Sequence, residues 1–584
     1  MNNERVLDLR FNGQMDAELS ILFNKISNDL KHQFNSLITD LSIPNKNNID
    51  WWVSELPSRN TLASPFFHYF CCIHFVDELV KNDKLNFEII LVDILNLKKV
   101  LDVIIYNNNS TVCKLFVDTK IRLRITQFLK KYFGEGIIFF YNSVKLFIAK
   151  RIFKQKKFDN IPLTLIDTFV IPGYTNSRRW YGSLWENLSP EMHNQTYFVS
   201  TVTKSSISNL FTIYSQLNAN KENYIIKEAY LHISDLLFAF NYKRRVKNFK
   251  VKKIEILNQD ITRIVEECLF NPKDIYTIQE SLLTYRFIHR LEQKGVQVRL
   301  SIDWFEGQII DKAWNLGFHT FYPETKTVAY RAFEISPLYL CSFPIPIEGE
   351  AGVIPQVFAL QGSKMTESVK VFMPDLKSIL IPSYKSEHVW KRKSKNDKTK
   401  SNNIIVALPI SNAISRYVIA MIIETSKKIS HKNTSHNFIL KTHPTISTKE
   451  LYNLSLKTLP PNVVFTTEKS FPALLHSAKV LITEASSTCL EAIAIGVPVI
   501  LIKREYGLFH SPLPEGIDKI LYKVCSSAND LIIALNEYLS MSKLEQEKLI
   551  IKGHTVRDNY FEPITKEGTN RFMNFKQTGN HNYA

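Results

Sequence analysis

Long apolar runs are missing from this chain: no uninterrupted stretch in its 584 residues reaches the ~18 needed to span a bilayer, so no membrane-spanning helix is expected. The richest stretch, Phe66 to Val76 (FFHYFCCIHFV), is too short and carries two histidines, and it reads as a buried helix. The opening MNNERVLDLRFNGQMD lacks the basic-then-apolar order of a secretory leader. Cysteine is sparse. The seven (Cys71, Cys72, Cys113, Cys268, Cys341, Cys489 and Cys525) are odd in number and scattered without a CxxC pair, which argues against a zinc or redox motif and fits a reducing cytoplasm. A GxGxxG or Walker A sequence is also missing, so neither a dinucleotide oxidoreductase nor a P-loop enzyme is expected.

What the chain does have is an ordinary globular composition with a basic excess. Hydrophobic residues make up 45% and charged residues 22%, which suits packed domains, and the length implies two or three of them. The 73 lysines and arginines outweigh 56 acidic residues for a net charge of +17, which favours a phosphorylated substrate, an acidic membrane surface or nucleic acid as partner. Much of the excess lies in Lys150 to Lys157 and Lys385 to Lys400, each read as a solvated lysine-rich face or linker. Neither cluster interleaves aromatics as a base-stacking platform does, so no nucleic-acid partner is expected.

The clearest boundary is KRKSKNDKTKSNN, residues 391–403, which has almost no apolar residue and reads as a linker. After it, short β-branched runs alternate with helical spacing. Strands are expected at Ile404 to Leu408, Asn437 to Lys441, Val463 to Thr466, Val480 to Thr483 and Val497 to Ile502, with helices at Ala413 to Ile429, Pro472 to Ala478 and Ser487 to Ile495. Such alternation demands a parallel sheet with crossover helices, a Rossmann-like lobe over 404–560, followed by a tail, 561–584. Residues 156–390 have the same grammar. Strands are expected at Thr164 to Val170, Val296 to Ile302 and Val369 to Met373, and a helix over Gly307 to Gly317 that ends in its glycine. Residues 1–155 read as a mostly helical part attached to this first lobe, with one strand candidate, Phe87 to Val92.

Two segments carry chemistry. In LITEASSTCLEAIAIGVPVILI, Leu481 to Ile502, a strand ends at Thr483 and Ser486, Ser487 and Thr488 stand where the next helix begins. Ligands bind beyond the carboxyl ends of parallel strands, and free N–H groups at a helix start suit phosphate. Glu491 follows one helical turn after Ser487, on a face that can reach a ribose. The second segment is Lys441-Thr442-His443-Pro444, directly after a strand, where proline ends the sheet and His443 faces the same crevice. A histidine there can donate to a phosphate and stabilise charge on a departing nucleotide.

The K-x-H-P at Lys441 to Pro444 and the pair Ser486-Ser487 resemble the HP and SS/ST motifs of bacterial sialyltransferases and related enzymes that use CMP-activated acidic sugars. Trp51 to Phe66, Trp304 to Ala313 and Pro344 to Pro355 resemble a sialyltransferase-like group of surface-carbohydrate biosynthesis proteins. The resemblance implies an α/β fold of GT-B type, two Rossmann-like lobes facing a cleft, with a largely helical N-terminal extension. It implies an inverting transfer of a nonulosonate or Kdo sugar from its CMP form to a glycan or lipid-linked glycan acceptor. His443 and the serines would bind the CMP portion, with Lys441, Pro444, Thr488 and Glu491 completing the donor site. In that family an acidic D/E-D/E-G residue removes the acceptor's proton. Its counterpart here is Phe305-Glu306-Gly307, with Phe305 at the first acidic position, so Glu306 is the candidate base and Glu348 and Glu350 are its rivals. No DxD pair stands where a metal-dependent transferase needs one, and neither metal nor cofactor is expected. A UDP- or GDP-sugar or CDP-glycerol donor, and an inactive binding scaffold, remain the alternatives. A cytoplasmic protein, peripheral on the inner membrane, follows.

Overall fold

The computed structural model describes residues 5–11, 13–107, 114–117, 121–153, 158, 161–203, 205–391, 403–430, 436–443, 446, 451, 459–466, 468, 470–484, 486–504 and 507–574, with backbone alone at 107, 121–133 and 430. The chain forms two large, wholly parallel sheets. In the first, strands Leu163–Val170, Thr196–Val202, Tyr224–Ile226, Val298–Trp304, Lys326–Arg331, Val357–Leu360 and Ser378–Leu380, numbered one to seven along the chain, stand in the order 7-6-5-4-1-2-3. The second places Asn403–Ala407, Asn437–Lys441, Val463–Phe465, Ala478–Thr483, Val499–Ile502 and Tyr522–Cys525 in the order 3-2-1-4-5-6. Both orders reverse between strand one and strand four. There the following loops diverge to opposite faces, and a crevice opens at the carboxyl edge.

Burial explains the strand sequences. Val499–Ile502 (VILI) lies inside the sheet and is buried at every residue, as a parallel strand covered on both faces must be. The edge strand Tyr522–Cys525 (YKVC) has only Cys525 buried, and its mixed character hid it from the sequence reading.

Several expectations need correction. Val369 to Met373 is not a strand: Lys364–Val369 is a helix, and the sheet takes Val357–Leu360 and Ser378–Leu380 instead. The helix expected to stop at Gly317 runs over Ile309–Phe321. Gly317 serves helix contact there, since a Cβ would sit 2.6 Å from Ile288 Cδ1 of the neighbouring helix Ile275–Gln293. The segment read as a tail contains the helix Lys566–Asn574, which returns to the first lobe: Thr569 Oγ1 accepts from the Tyr384 hydroxyl at 2.8 Å, and Phe572 is fully buried. Of the linker, only Lys391 and Asn403 fall within the described residues.

The N-terminal part is less purely helical than expected. It holds a parallel sheet of Val6–Asp8, Ile89–Val92 and Lys114–Val117, two of whose strands are too short to announce themselves by alternation. The expected buried helix is Phe66–Lys81. This part is tied to the first lobe by buried ions. Arg59 meets Glu348 at 2.7 Å, and Lys145 meets Glu228 at 2.8 Å and Glu280 at 3.2 Å. It also reaches the second lobe, where the Asn24 side chain donates to Gly507 O and accepts from Phe509 N, at 2.8 and 2.7 Å.

Candidate active site

In the second lobe, Lys441 and Thr483 lie in register on either side of Ala407. The segments that follow them therefore leave the same sheet edge about 10 Å apart, two strand spacings. One carries His443 and the other Ser486, Ser487 and Thr488. Ser486 and Thr488 share a hydroxyl hydrogen bond of 2.8 Å, and Ser487 precedes the helix Thr488–Ala494. Lys441 Nζ donates to Glu468 O at 2.6 Å, and burial pulls its ammonium below the ordinary lysine value, with Glu468 opposing. Pro444 lies outside the described residues.

Glu491 is buried and turned toward the segment that leaves the first lobe. Ser386 Oγ donates to Glu491 Oε1 at 3.2 Å, and His388 Nε2 stands 3.3 Å from Glu491 Oε2. Next to it Ser487 and Leu490 face Phe333 and Gln361 of the first lobe.

The crevice of the first sheet holds Glu306, between strand four and the helix Ile309–Phe321. Trp304 Nε1 and Gln308 Nε2 donate to its two carboxylate oxygens at 2.9 and 2.6 Å. Its own amide, like that of Gln308, donates to Asp311 Oδ2 at 2.9 Å. The turn needs Gly307: φ is +76°, and a Cβ would lie 1.8 Å from Cys341 O. Behind Glu306 stand Asp311, Asp303 and Asp167, all buried. Burial raises all three carboxyls, Asp167 to about 7, and for Asp303 and Asp311 the neighbouring carboxylates add to the rise. Of these four acids only Glu306 has partial access to solvent, and so only Glu306 can meet a substrate.

The rival acids are used elsewhere. Glu348 Oε1 and Oε2 meet Lys312 and Arg59, each at 2.7 Å in full burial, and Glu350 pairs with Lys46 at the surface at 3.0 Å.

Lys385 joins the two halves. It belongs to the segment Tyr384–Trp390, and its ammonium lies 5.2 Å from the Trp304 ring and 4.8 Å from that of Phe333. Burial lowers its pKa, while Glu491 from the second lobe and Glu306 from the first both raise it. A residue counted with a solvated linker is thus part of the cleft. Its lysine-rich sequence neighbourhood offered no signal, because cleft placement depends on two lobes meeting. Sequence reasoning also missed Glu484, buried and paired with Arg504 at 2.8 Å just beyond strands four and five of the second sheet. Burial raises that carboxyl and Arg504 opposes. The signal for it was available, since Glu484 directly follows the strand of the serine motif.

No family model matches the sequence, and no curated protein matches it. Solved structures do. The S. aureus MnaA–UDP co-structure is 11% identical with a TM-score of 0.43, covering 72% of this chain and 100% of that one. The wall teichoic acid polymerase TagF is 9% identical with a TM-score of 0.38, covering 76% and 96%. The trehalose-6-phosphate synthase OtsA is 7% identical with a TM-score of 0.39, covering 71% and 98%. At these scores the likenesses carry no argument, and the fold is read from this chain's own topology. The strand orders, the two facing crevices and the C-terminal return to the first lobe make this an α/β protein of GT-B type.

Proposed function

We propose that the chain is a glycosyltransferase of bacterial surface polysaccharide synthesis, inverting and metal-independent, which moves an acidic sugar from a CMP donor to a glycan acceptor. The observation that carries this reading is that Glu491 of the second lobe meets Ser386 and His388, at 3.2 and 3.3 Å, on the segment whose Lys385 stands 5.2 Å from the ring of Trp304, which itself donates to Glu306 of the first. The two switch-point crevices then form a single cleft. Glu306 removes the proton from the acceptor hydroxyl, its carboxylate aimed by Trp304 and Gln308. Lys441, His443, Pro444, Ser486, Ser487 and Thr488 hold the nucleotide and its phosphate, and His443 stabilises the charge that develops as CMP departs. Glu491 contacts the ribose.

Thermal stability measured against a panel of CMP, UDP, GDP and CDP-glycerol tests the donor, and CMP should give the largest rise. No rise with any nucleotide favours a scaffold that lost its chemistry. His443→Ala should lower turnover by about 10²- to 10³-fold in a folded protein, as loss of one preorganised donor does. Ser486→Ala with Ser487→Ala should weaken donor binding without abolishing it, because the backbone N–H groups at that helix start survive. Transfer at the native rate by His443→Ala would remove that residue from the site.

The basic excess suits an acceptor held at the cytoplasmic face of the membrane. Among the described residues no helix is long and apolar enough to cross a membrane. Washing membranes at high ionic strength should release the protein, since exposed charges are screened over about 10 Å or less. Retention in the membrane fraction would point to an apolar anchor.

A further inference from the structure

A groove separate from the donor turn lies between the lobes, beside the loop that follows strand five of the first sheet. Glu334, Phe343 and Phe372 of the first lobe line it, and Thr555 and Tyr560 on the helix Lys543–Tyr560 face them from the second lobe, together with residues 514–518. Its volume is about 740 Å³, and a cavity of about 510 Å³ shares Pro337 and residues 514–518 with it. Both volumes are those of ligand clefts. Neither space includes Glu306, His443 or the serine turn. The groove nonetheless adjoins the cleft: the Phe333 ring lies 4.8 Å from the Lys385 ammonium, and the next residue, Glu334, lines the groove.

Glu334 is 5% exposed, and its Oε2 has no hydrogen-bond partner among the described residues. Arg331 Nη2 stands 3.6 Å from the other oxygen, Oε1, near enough to offset the charge and too far for a hydrogen bond. The Ser368 hydroxyl donates to Met365 O at 3.1 Å. Burial raises the carboxyl above the ordinary glutamate value, with Arg331, Ser368 and the Ile335 amide opposing. A buried acceptor without a donor costs free energy, and a ligand that brings the donor recovers it. Since Arg331 already offsets the charge, what Oε2 lacks is a neutral O–H or N–H. An anion would meet Glu334 itself, and a cation would meet Arg331. The lysines at the rim are engaged, Lys364 with Glu367 at 2.9 Å and Lys552 with Asp518. Aromatic wall is present as well, Phe343 and Phe372 meeting edge to face at 6.4 Å. A neutral chain with hydroxyl donors around apolar ring faces matches this lining, and that is a sugar chain.

We propose that the groove is a second glycan site, in which Glu334 accepts from hydroxyls of a neutral stretch of the acceptor while the acceptor's end lies in the cleft. The proposal rests on the glycosyl-transfer reading and deepens it, by naming what holds the acceptor away from the reacting atoms.

Isothermal titration of maltohexaose, N-acetylchitohexaose, a sialic acid hexamer and CMP into the native protein, Glu334→Gln and Thr555→Trp tests it. In Glu334→Gln the amide oxygen turns to Arg331 and the NH2 takes the place of Oε2, so a charged acceptor becomes a neutral donor. Thr555 is exposed, and tryptophan there fills the groove. At least one neutral hexamer should bind the native protein and lose about tenfold or more in both variants, the worth of a hydrogen bond to a charged group. The sialic acid hexamer should not displace it, and CMP should bind all three proteins alike. If neither neutral hexamer binds the native protein, or both variants bind them as it does, the groove site is overturned, and unchanged CMP binding leaves the glycosyl-transfer reading in place. If a neutral hexamer binds as expected and no nucleotide does, the glycan site stands and the transferase reading falls. Dodecyl maltoside binding where maltohexaose does not would give the groove to an alkyl chain and overturn the proposal too. Should Glu334→Gln fail to fold, Thr555→Trp, at its exposed position, decides.

Discussion

Glu306→Gln should lower turnover by about 10²- to 10⁴-fold, the contribution of a positioned general base, while nucleotide affinity and melting stay near native values. Glutamine keeps the shape: its one carbonyl oxygen can accept from Trp304, and the Gln308 amide can turn its oxygen toward the new NH2, where the two now donate to the carboxylate at 2.9 and 2.6 Å. What it cannot do is accept a proton. The loss should therefore appear in kcat, with little change in donor binding. The three aspartates behind Glu306 are buried and cannot take over its contact with the acceptor. Native turnover in the variant would transfer the base role away from this residue.

Glu348→Ala should cost about 3–5 kcal/mol in the stability of the first lobe, because it strands two buried cations. Arg59 and Lys312 are each about 1% exposed or less at the side chain and meet the same carboxylate from opposite sides. Arg59 belongs to the N-terminal part, so that part should loosen together with the lobe. Glu350→Ala, two residues on, removes only an exposed pair with Lys46 and should change stability by about 1 kcal/mol or less. Urea unfolding of both variants separates the cases, and equal effects would deny Glu348 its structural role. The pH dependence has a defined sign. Although burial alone would raise the Glu348 carboxyl, Arg59 and Lys312 hold it below the ordinary value. A depressed folded pKa gives stability that is present above the unfolded value, about 4.3, and lost as pH falls through the folded one.

Both outcomes separate two carboxylates that look alike in sequence. Glu306 and Glu348 each stand near a glycine and aromatic residues, and nothing in residue type or spacing decides which one meets substrate. The decision comes from Arg59, 289 residues before Glu348 in the chain, whose guanidinium reaches it only in the folded protein. Lys385 is similar. Its neighbours in sequence are hydrophilic, but Trp304 and Phe333 wall it in once the inter-lobe segment crosses the cleft.

Local pattern alone carried the second lobe. Its β-branched runs have the period and length of parallel strands, and five of its six strands lie within two residues of where that period puts them. Strand ends and the serine turn follow, because a parallel strand must finish at the edge from which its crossover leaves. Tyr522–Cys525 escaped since an edge strand has one neighbour and need not be apolar throughout. The helix Lys566–Asn574 escaped for a different reason: it is polar by composition and buries Phe572 and Met573 only against the first lobe. Periodicity thus determined most of the second parallel sheet and two strands of the first, and placed His443 and Ser486 beyond strand ends, because hydrophobic spacing is a property of adjacent residues. Which acids reach the cleft, and that Lys385 stands over Trp304 there, was decided by the tertiary structure alone, because burial and side-chain proximity depend on residues far apart in the chain.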